Sequence, residues 1–166
     1  DFVFLSGRER YFCFLCFFFD TLDSIWLFRK INSRLGFEFL HDPLHDAIIA
    51  TKNAGIIIVA AAGNSGGVVG YPAAYPETIA VAATDSANNR PTWSSFGPEV
   101  DIAAPGVSVY STYKGTGYAT LSGTSMATPH VVSAVALLLN AGVPAGDVQS
   151  RLESRAIDLG TLGYDS

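Results

Sequence analysis

The sequence predicts an α/β fold in which helices pack on a mostly parallel β-sheet. Three observations carry this prediction. From residue 42 onward, apolar runs of strand length alternate with helical patterns. The run at residues 56–62, IIIVAAA, has no polar position, which is typical of a strand buried on both faces of a parallel sheet. Finally, 49% of the 166 residues are hydrophobic, enough to bury the core of one domain.

The first helix is predicted to begin after Asp42, whose side chain can cap the free backbone N–H groups of the first turn. Pro43 suits the first helical position, and Gly55 is expected to end the helix. The strand at residues 56–62 follows. Further strands are expected at residues 79–83 and 101–106, where short apolar runs end in turns.

The remaining elements are short strands at residues 107–112 and 118–121 around a Gly-Thr-Gly turn, an apolar core helix at residues 129–139, and a surface helix at residues 147–156. The core helix is expected to start near Thr128. Gly142 and Pro144 are expected to end it.

Residues 1–30 differ in composition from the rest of the chain. Of the 11 Phe residues, only Phe96 lies beyond Phe39, and this segment shows neither strand alternation nor a helical period. We therefore divide the chain into an atypical Phe-rich segment at residues 1–30, outside the fold, and a partial domain at residues 31–166. Cys13 and Cys16 form a CxxC pair without the second pair of ligands that a structural zinc site needs.

Charge and hydropathy exclude several classes of function. The net charge of −5 and the pI near 5 argue against nucleic acid as a partner, since binding to backbone phosphates needs a basic face. No basic run favours an anionic membrane, and the apolar run at residues 11–19 is too short to span a bilayer. That run is also an unconvincing signal peptide, because no small-residue cleavage site follows it.

Ser125 is the candidate nucleophile. It follows Gly123 and Thr124 and precedes the apolar helix, so a turn would present its hydroxyl beside the N–H groups and positive dipole end of a helix. Such groups stabilise the oxyanion that develops during acyl transfer. Considered alone, the same tripeptide also fits a simpler role, in which Ser125 or Thr124 caps the helix.

Several motifs together resemble the subtilisin-like serine proteases, the subtilases of peptidase family S8. The segment SGTSMATPH at residues 122–130 resembles their nucleophile motif. The other matching segments, in chain order, are INSRLG at 31–36, AAGN at 61–64, GYPAAYP at 70–76, SSFGP at 94–98 and APG at 104–106. The resemblance covers roughly residues 31–165. It implies the subtilisin-like fold, here incomplete, with amino-terminal strands and the last strand and helix missing.

The resemblance implies a role for each matching residue. Ser125 would attack the scissile carbonyl, and the Asn64 side chain with the backbone N–H of Ser125 would hold the oxyanion. The backbones of Arg34, Leu35 and Gly36, and of Ala62 and Gly63, would line the substrate cleft and pair with an extended peptide. Arg34 stands where the family has a small residue. The expected partner is therefore a peptide or protein substrate.

The resemblance also implies a weak cation site formed by the backbone carbonyls of Ala73, Tyr75 and Thr78, because hard cations accept such oxygens. No cofactor is required for catalysis, and calcium is the structural ion that the family would suggest. The family further implies a secreted, extracellular enzyme.

The catalytic base is missing from this pattern. A serine protease needs a histidine and an aspartate that orients it, and the family places both upstream of the residue 31–36 strand. No histidine lies there, and His41, His45 and His130 lack the catalytic sequence context. We therefore expect a fragment without the triad Asp and His, inactive alone. The alternatives are a catalytically dead peptide-binding module, a pseudogene product, or completion by a separate chain.

Overall fold

The computed structural model describes residues 42–159. Predictions for residues 1–30, for residues 31–36, for His41 and for residues 160–166 lie outside this range. Helices α1, α2 and α3 span Pro43–Asn53, Thr124–Asn140 and Val148–Glu153, and a 3₁₀ turn at Ala145–Asp147 precedes α3. Strands β1 to β5 span Ile58–Ala61, Thr78–Thr84, Ile102–Pro105, Val109–Thr112 and Tyr118–Leu121.

Both predicted ends of α1 are confirmed. The Asp42 side chain accepts hydrogen bonds from the backbone N–H groups of Leu44 and His45, at 3.1 and 3.3 Å. At the other end, Gly55 donates to the Lys52 carbonyl and Ile56 donates to the Thr51 carbonyl, the two bonds of a Schellman motif. Because this motif uses Ile56, strand β1 begins only at Ile58, two residues later than the apolar run predicts.

The predicted parallel sheet is confirmed. Its strand order is β1-β2-β3, and both pairs are parallel. Every residue of β2 is buried, as expected for a strand covered on both faces. The second sheet is the β4-β5 hairpin, which is antiparallel.

The hydrophobic core lies on both faces of the parallel sheet. On one face, Val59, Ile79 and Val81 join the α2 residues Val131 and Val135 in one buried cluster. On the other face, Ile48 of α1 packs with Ile58 and Tyr75. The α/β architecture follows from this two-sided burial, since alternate residues of β1 serve opposite faces. None of the helices within residues 42–159 has the length and apolarity that crossing a bilayer requires.

The start of α2 differs from the prediction. The helix begins at Thr124, with Gly123 as its N-cap, rather than near Thr128. Pro129 therefore lies inside the helix instead of at its first position. A proline this early removes only one hydrogen bond, the one that its missing N–H would make to the carbonyl of Ser125. The helix tolerates Pro129 because buried apolar contacts hold its remaining turns.

The hairpin leads directly into the amino terminus of α2. It begins at Val109 rather than at residue 107, since Ser108 adopts a φ of 54°, which interrupts the extended backbone. The Ser108 amide donates to the Ser122 hydroxyl at 2.9 Å. This bond ties the two ends of the hairpin together just before the nucleophile motif.

Candidate active site

Ser125 is the second residue of α2 and is partly exposed. Around it, the backbone N–H groups of the first turn are engaged: Gly123 donates to the Gly106 carbonyl at 2.8 Å, Thr124 donates to the Asn64 side chain, and Met126 donates to the Gly123 carbonyl. The Ser125 N–H has no acceptor among residues 42–159. The structure therefore leaves one amide, that of the candidate nucleophile itself, free at the positive end of the helix.

Neither Ser125 nor Thr124 caps the helix, so the alternative interpretation of the Gly-Thr-Ser segment as a helix cap is wrong. The N-cap is Gly123, which makes no side-chain capping bond. The Thr124 hydroxyl points toward the end of β1 instead. There it donates to the Asn64 side-chain oxygen at 2.9 Å, the same oxygen that accepts the Thr124 N–H.

Asn64 reaches the nucleophile turn from the loop that follows β1. Its side-chain oxygen accepts both bonds from Thr124, which fixes the orientation of the amide. The amide nitrogen lies beside the turn, 3.4 Å from where a Cβ on Gly123 would stand. Within the described residues this NH₂ group has no acceptor. Two N–H donors, the Ser125 backbone amide and the Asn64 side-chain amide, are therefore available at the turn that carries the Ser125 hydroxyl.

Two glycines bring these segments together. Gly63 has a φ of 117°, and a Cβ there would lie 3.0 Å from the Ser95 hydroxyl oxygen, so the chain can turn toward α2 only with glycine. At Gly106, a Cβ would lie 2.6 Å from the Ala83 Cβ and 2.8 Å from the Gly123 carbonyl oxygen. The close contact between Gly106 and Gly123 holds the nucleophile turn against the end of β3.

The two described histidines are engaged elsewhere. The Nδ1 of His130 donates to the Met126 carbonyl at 2.9 Å, since a carbonyl can only accept. The His45 ring stacks on Tyr75 with centroids 4.2 Å apart, and its Nε2 lies 2.9 Å from a carboxylate oxygen of Glu77. Neither ring contacts Ser125. Among residues 42–159, no histidine is therefore in place to accept the proton of Ser125.

Internal hydrogen bonds hold Ala62 and Gly63, which are predicted to line the cleft. The Ala62 N–H donates to the Val81 carbonyl at 2.9 Å, and the Gly63 N–H donates to the Thr124 hydroxyl at 3.2 Å. Their carbonyls accept the Gly70 and Ser95 amides. Because both N–H groups are used internally, only the remaining carbonyl lone pairs of these residues can pair with a peptide.

The predicted cation ligands lie in the loop that leads into β2. The carbonyl oxygens of Ala73 and Tyr75 converge, but both lie within hydrogen-bond distance of the Thr78 hydroxyl, at 3.1 and 2.9 Å. The Tyr75 carbonyl also accepts the Thr78 N–H at 3.1 Å. The Thr78 hydroxyl therefore lies within hydrogen-bond distance of both predicted ligands, and its one proton can bond to one of them at a time. No cluster of three or more His, Cys, Asp or Glu side chains that could hold a metal occurs in residues 42–159.

Comparisons with known proteins show which family this chain belongs to. The model of the subtilase family, peptidase S8, matches residues 34–159. The chain belongs to the subtilase family. Subtilisin DY of Bacillus licheniformis is 47% identical over 141 residues, and Subtilisin Savinase of Lederbergia lenta is 46% identical over 133 residues.

The subtilase chain spans about half the length of these curated relatives. It covers 52% of subtilisin DY and 49% of Savinase, and the matched regions make up 81% and 78% of this chain. A crystal structure of a cold-adapted subtilisin-like serine proteinase superposes with a TM-score of 0.66 at 36% identity. The superposition covers 69% of this chain and 43% of that one. The fold prediction is therefore confirmed.

Sequence reasoning missed Thr124 as a positioning residue of this subtilase site. Its hydroxyl is buried, accepts from Gly63 and donates to Asn64, so it connects the end of β1 to the nucleophile helix. The available signal was the position of Thr124 inside the GTS motif. That signal was ambiguous, since a threonine at a helix start is usually a cap.

Proposed function

We propose that this chain is the carboxyl-terminal part of the catalytic domain of a subtilisin-like serine endopeptidase. The whole domain hydrolyses peptide bonds through an acyl-enzyme. One observation carries the proposal: the N–H of Ser125 and the side-chain NH₂ of Asn64 both lack acceptors in residues 42–159, at the turn that carries the Ser125 hydroxyl. Donors left open in this way stabilise negative charge on the carbonyl oxygen under attack.

In the proposed reaction, the Ser125 oxygen attacks the scissile carbonyl carbon and the Ser125 proton passes to a histidine base. The two donors hold the tetrahedral oxyanion. Collapse of this intermediate expels the amine, which takes the proton from the base, and leaves an acyl group on Ser125. Water then releases the acyl group by the reverse sequence of proton transfers. No step requires a cofactor.

We further propose that the chain has no useful activity alone, because it lacks the triad histidine and aspartate. In subtilisin, a member of the same family, loss of the base lowers kcat by about 10⁶. The substrate is a peptide or protein, and the parent enzyme acts outside the cell. Ser125 and Asn64 carry the chemistry, while Ala62 and Gly63, together with residues 34–36, line the cleft.

The test has two parts. The 166-residue chain is first incubated with a chromogenic peptide and with a fluorophosphonate, which labels activated serines. We expect neither turnover nor stoichiometric labelling. Turnover of the peptide, or stoichiometric labelling of Ser125, would show that the chain carries or recruits a base. Either result would refute the proposed inactivity.

In the second part, residues 34–159 replace the matching region of subtilisin DY, which then supplies the rest of the domain. We expect this chimaera to hydrolyse the peptide, S125A to abolish the activity, and N64L to lower kcat by about 10²–10³, the factor known for the corresponding donor in subtilisin. An Asn53→Leu variant, at the end of α1, serves as the control for Asn64→Leu. A folded chimaera that binds the peptide without cleaving it would favour the alternative, a dead peptide-binding module.

A further inference from the structure

The Thr78 hydroxyl lies at the centre of a ring of backbone carbonyls. Thr78 is the first residue of β2 and is 3% exposed. Its hydroxyl oxygen lies 3.2 Å from the carbonyl oxygen of Pro72, 3.1 Å from that of Ala73 and 2.9 Å from that of Tyr75. A carbonyl can only accept, so the hydroxyl proton of Thr78 is the donor to this cluster.

Some of the lone pairs of the cluster are used within the chain. Each carbonyl oxygen can accept two hydrogen bonds. The Tyr75 oxygen accepts the Thr78 N–H and the Pro72 oxygen accepts the Tyr75 N–H, each at 3.1 Å. The one hydroxyl proton of Thr78 bonds to one of the three oxygens at a time. An ion that bound these oxygens would first have to displace a donor that the fold itself provides.

A positive charge already lies next to the cluster. The ammonium group of Lys52, at the end of α1, donates to the carbonyl oxygen of Pro76 at 3.3 Å. The adjacent carboxylate, that of Glu77, is hydrogen-bonded to the His45 ring at 2.9 Å. A further cation at the cluster would be repelled by Lys52, while the Glu77 carboxylate is engaged by His45.

We propose that the Thr78 hydroxyl closes this carbonyl cluster in place of a bound ion, so that the loop at residues 70–77 folds without a cation. The residue that family resemblance assigns as a ligand through its backbone acts instead through its side chain. The proposal concerns the architecture of this chain and is independent of its proteolytic activity.

The experiment compares the wild-type chain with Thr78→Val and Thr78→Ser. Valine keeps the branched shape without the hydroxyl, and serine keeps the hydroxyl without the methyl group. Thermal unfolding is followed in choline chloride, and then with sodium, potassium or calcium replacing choline at constant ionic strength. Hydrogen exchange at the Tyr75 and Thr78 amides compares the same variants and cations for the loop alone. This measurement does not require a cooperative melting transition.

We expect the Tm and the amide protection of the wild type and of T78S to be unchanged by the choice of cation. T78V should melt roughly 4 °C below T78S in choline, because its buried carbonyls have lost their donor. A saturable rise in wild-type Tm or amide protection with one particular cation would overturn the proposal. Equal stability and equal amide protection of T78V and T78S would also overturn it.

Discussion

The side-chain oxygen of Asn64 accepts two hydrogen bonds from Thr124, one from its N–H and one from its hydroxyl, each 2.9 Å long. The Thr124 hydroxyl also accepts the Gly63 N–H at 3.2 Å. One buried threonine therefore determines which way the Asn64 amide faces. Its oxygen is held by Thr124, and its nitrogen lies 3.4 Å from where a Cβ on Gly123 would stand, at the turn that carries the candidate nucleophile.

Thr124→Val removes the hydroxyl and keeps the backbone bond. We expect the free energy of unfolding to fall by about 1–3 kcal/mol, because the Gly63 amide loses its acceptor in a partly buried position. We also expect the NMR signals of the Asn64 side-chain amide to broaden or shift as its orientation is released. Thr124→Ser is the matched control. It should keep most of the free energy of unfolding and leave the Asn64 side-chain signals nearly unchanged. Identical Asn64 signals in the two variants would contradict the positioning role.

Gly106→Ala should destabilise the chain through a steric clash. The added methyl carbon would lie 2.6 Å from the Ala83 Cβ and 2.8 Å from the Gly123 carbonyl oxygen. Urea denaturation is expected to show a loss of about 1–3 kcal/mol, typical of overpacking in a core. The control is Gly146→Ala, where an added methyl group would have no atom within 4 Å. If both substitutions lowered the free energy of unfolding equally, the close packing around Gly106 would not explain why glycine is needed there.

Asp101 gives the chain a predictable pH dependence. Burial raises the pKa of this carboxyl above 3.8, and the negative charge of Glu153 adds to the shift, although the Ala80 N–H opposes it with a 2.7 Å bond. The folded chain thus binds the Asp101 proton more tightly than the unfolded chain does. This stabilising contribution is fully present below pH 3.8 and is lost as the pH rises through the raised pKa.

Asp101→Asn should remove the decline in the free energy of unfolding that accompanies rising pH. Its oxygen can still accept the Ala80 N–H, while its NH₂ group can donate to Gln149 once the Gln149 amide flips. The measurement is the free energy of unfolding against pH from below 3.8 to neutrality. Asp85→Asn is the control. It removes a carboxyl whose pKa is lowered, chiefly by the Asn89 N–H, and should change the free energy of unfolding only at acid pH. If the free energy of unfolding of D101N still fell with pH as steeply as that of the wild type, another group would be responsible for the decline.

Asp42 should respond in the opposite direction. The Tyr75 hydroxyl donates to its carboxylate, which is the largest cause of a lowered pKa. The stabilisation this provides is present above pH 3.8 and is lost as the pH falls through the lowered pKa. In Tyr75→Phe, NMR titration should therefore show the pKa of Asp42 rising toward 3.8. Tyr71→Phe is the control, since its ring packs on Tyr75 but its hydroxyl takes no part in the bond. A rise of the same size in both variants would contradict the assignment.

Much of the fold could be predicted because burial alone dictates it. Strand β2 is buried along its whole length, and its apolar sequence therefore indicates its structure directly. The ends of α1 were predictable for a local reason: Asp42 caps the helix and Gly55 terminates it through contacts within a few residues.

The features that sequence could not predict depend on contacts between distant segments. A start near Thr128 was predicted for α2, whereas the helix begins at Thr124, where contacts with Asn64 and Gly106 hold the first turn. Thr78 was expected to act through its carbonyl. The side-chain conformation that places its hydroxyl among three other carbonyls depends on the folded loop.

The early start of α2 has a mechanical consequence. Ser125 and its own N–H lie on the same first turn, which is fixed at Gly123 and Gly106 by a 2.8 Å bond. The Ser125 hydroxyl and N–H therefore belong to one anchored turn, and the two bonds from Thr124 attach Asn64 to that turn from a separate segment. A displacement of this turn would therefore carry the Ser125 hydroxyl, the Ser125 N–H and the Asn64 side chain together.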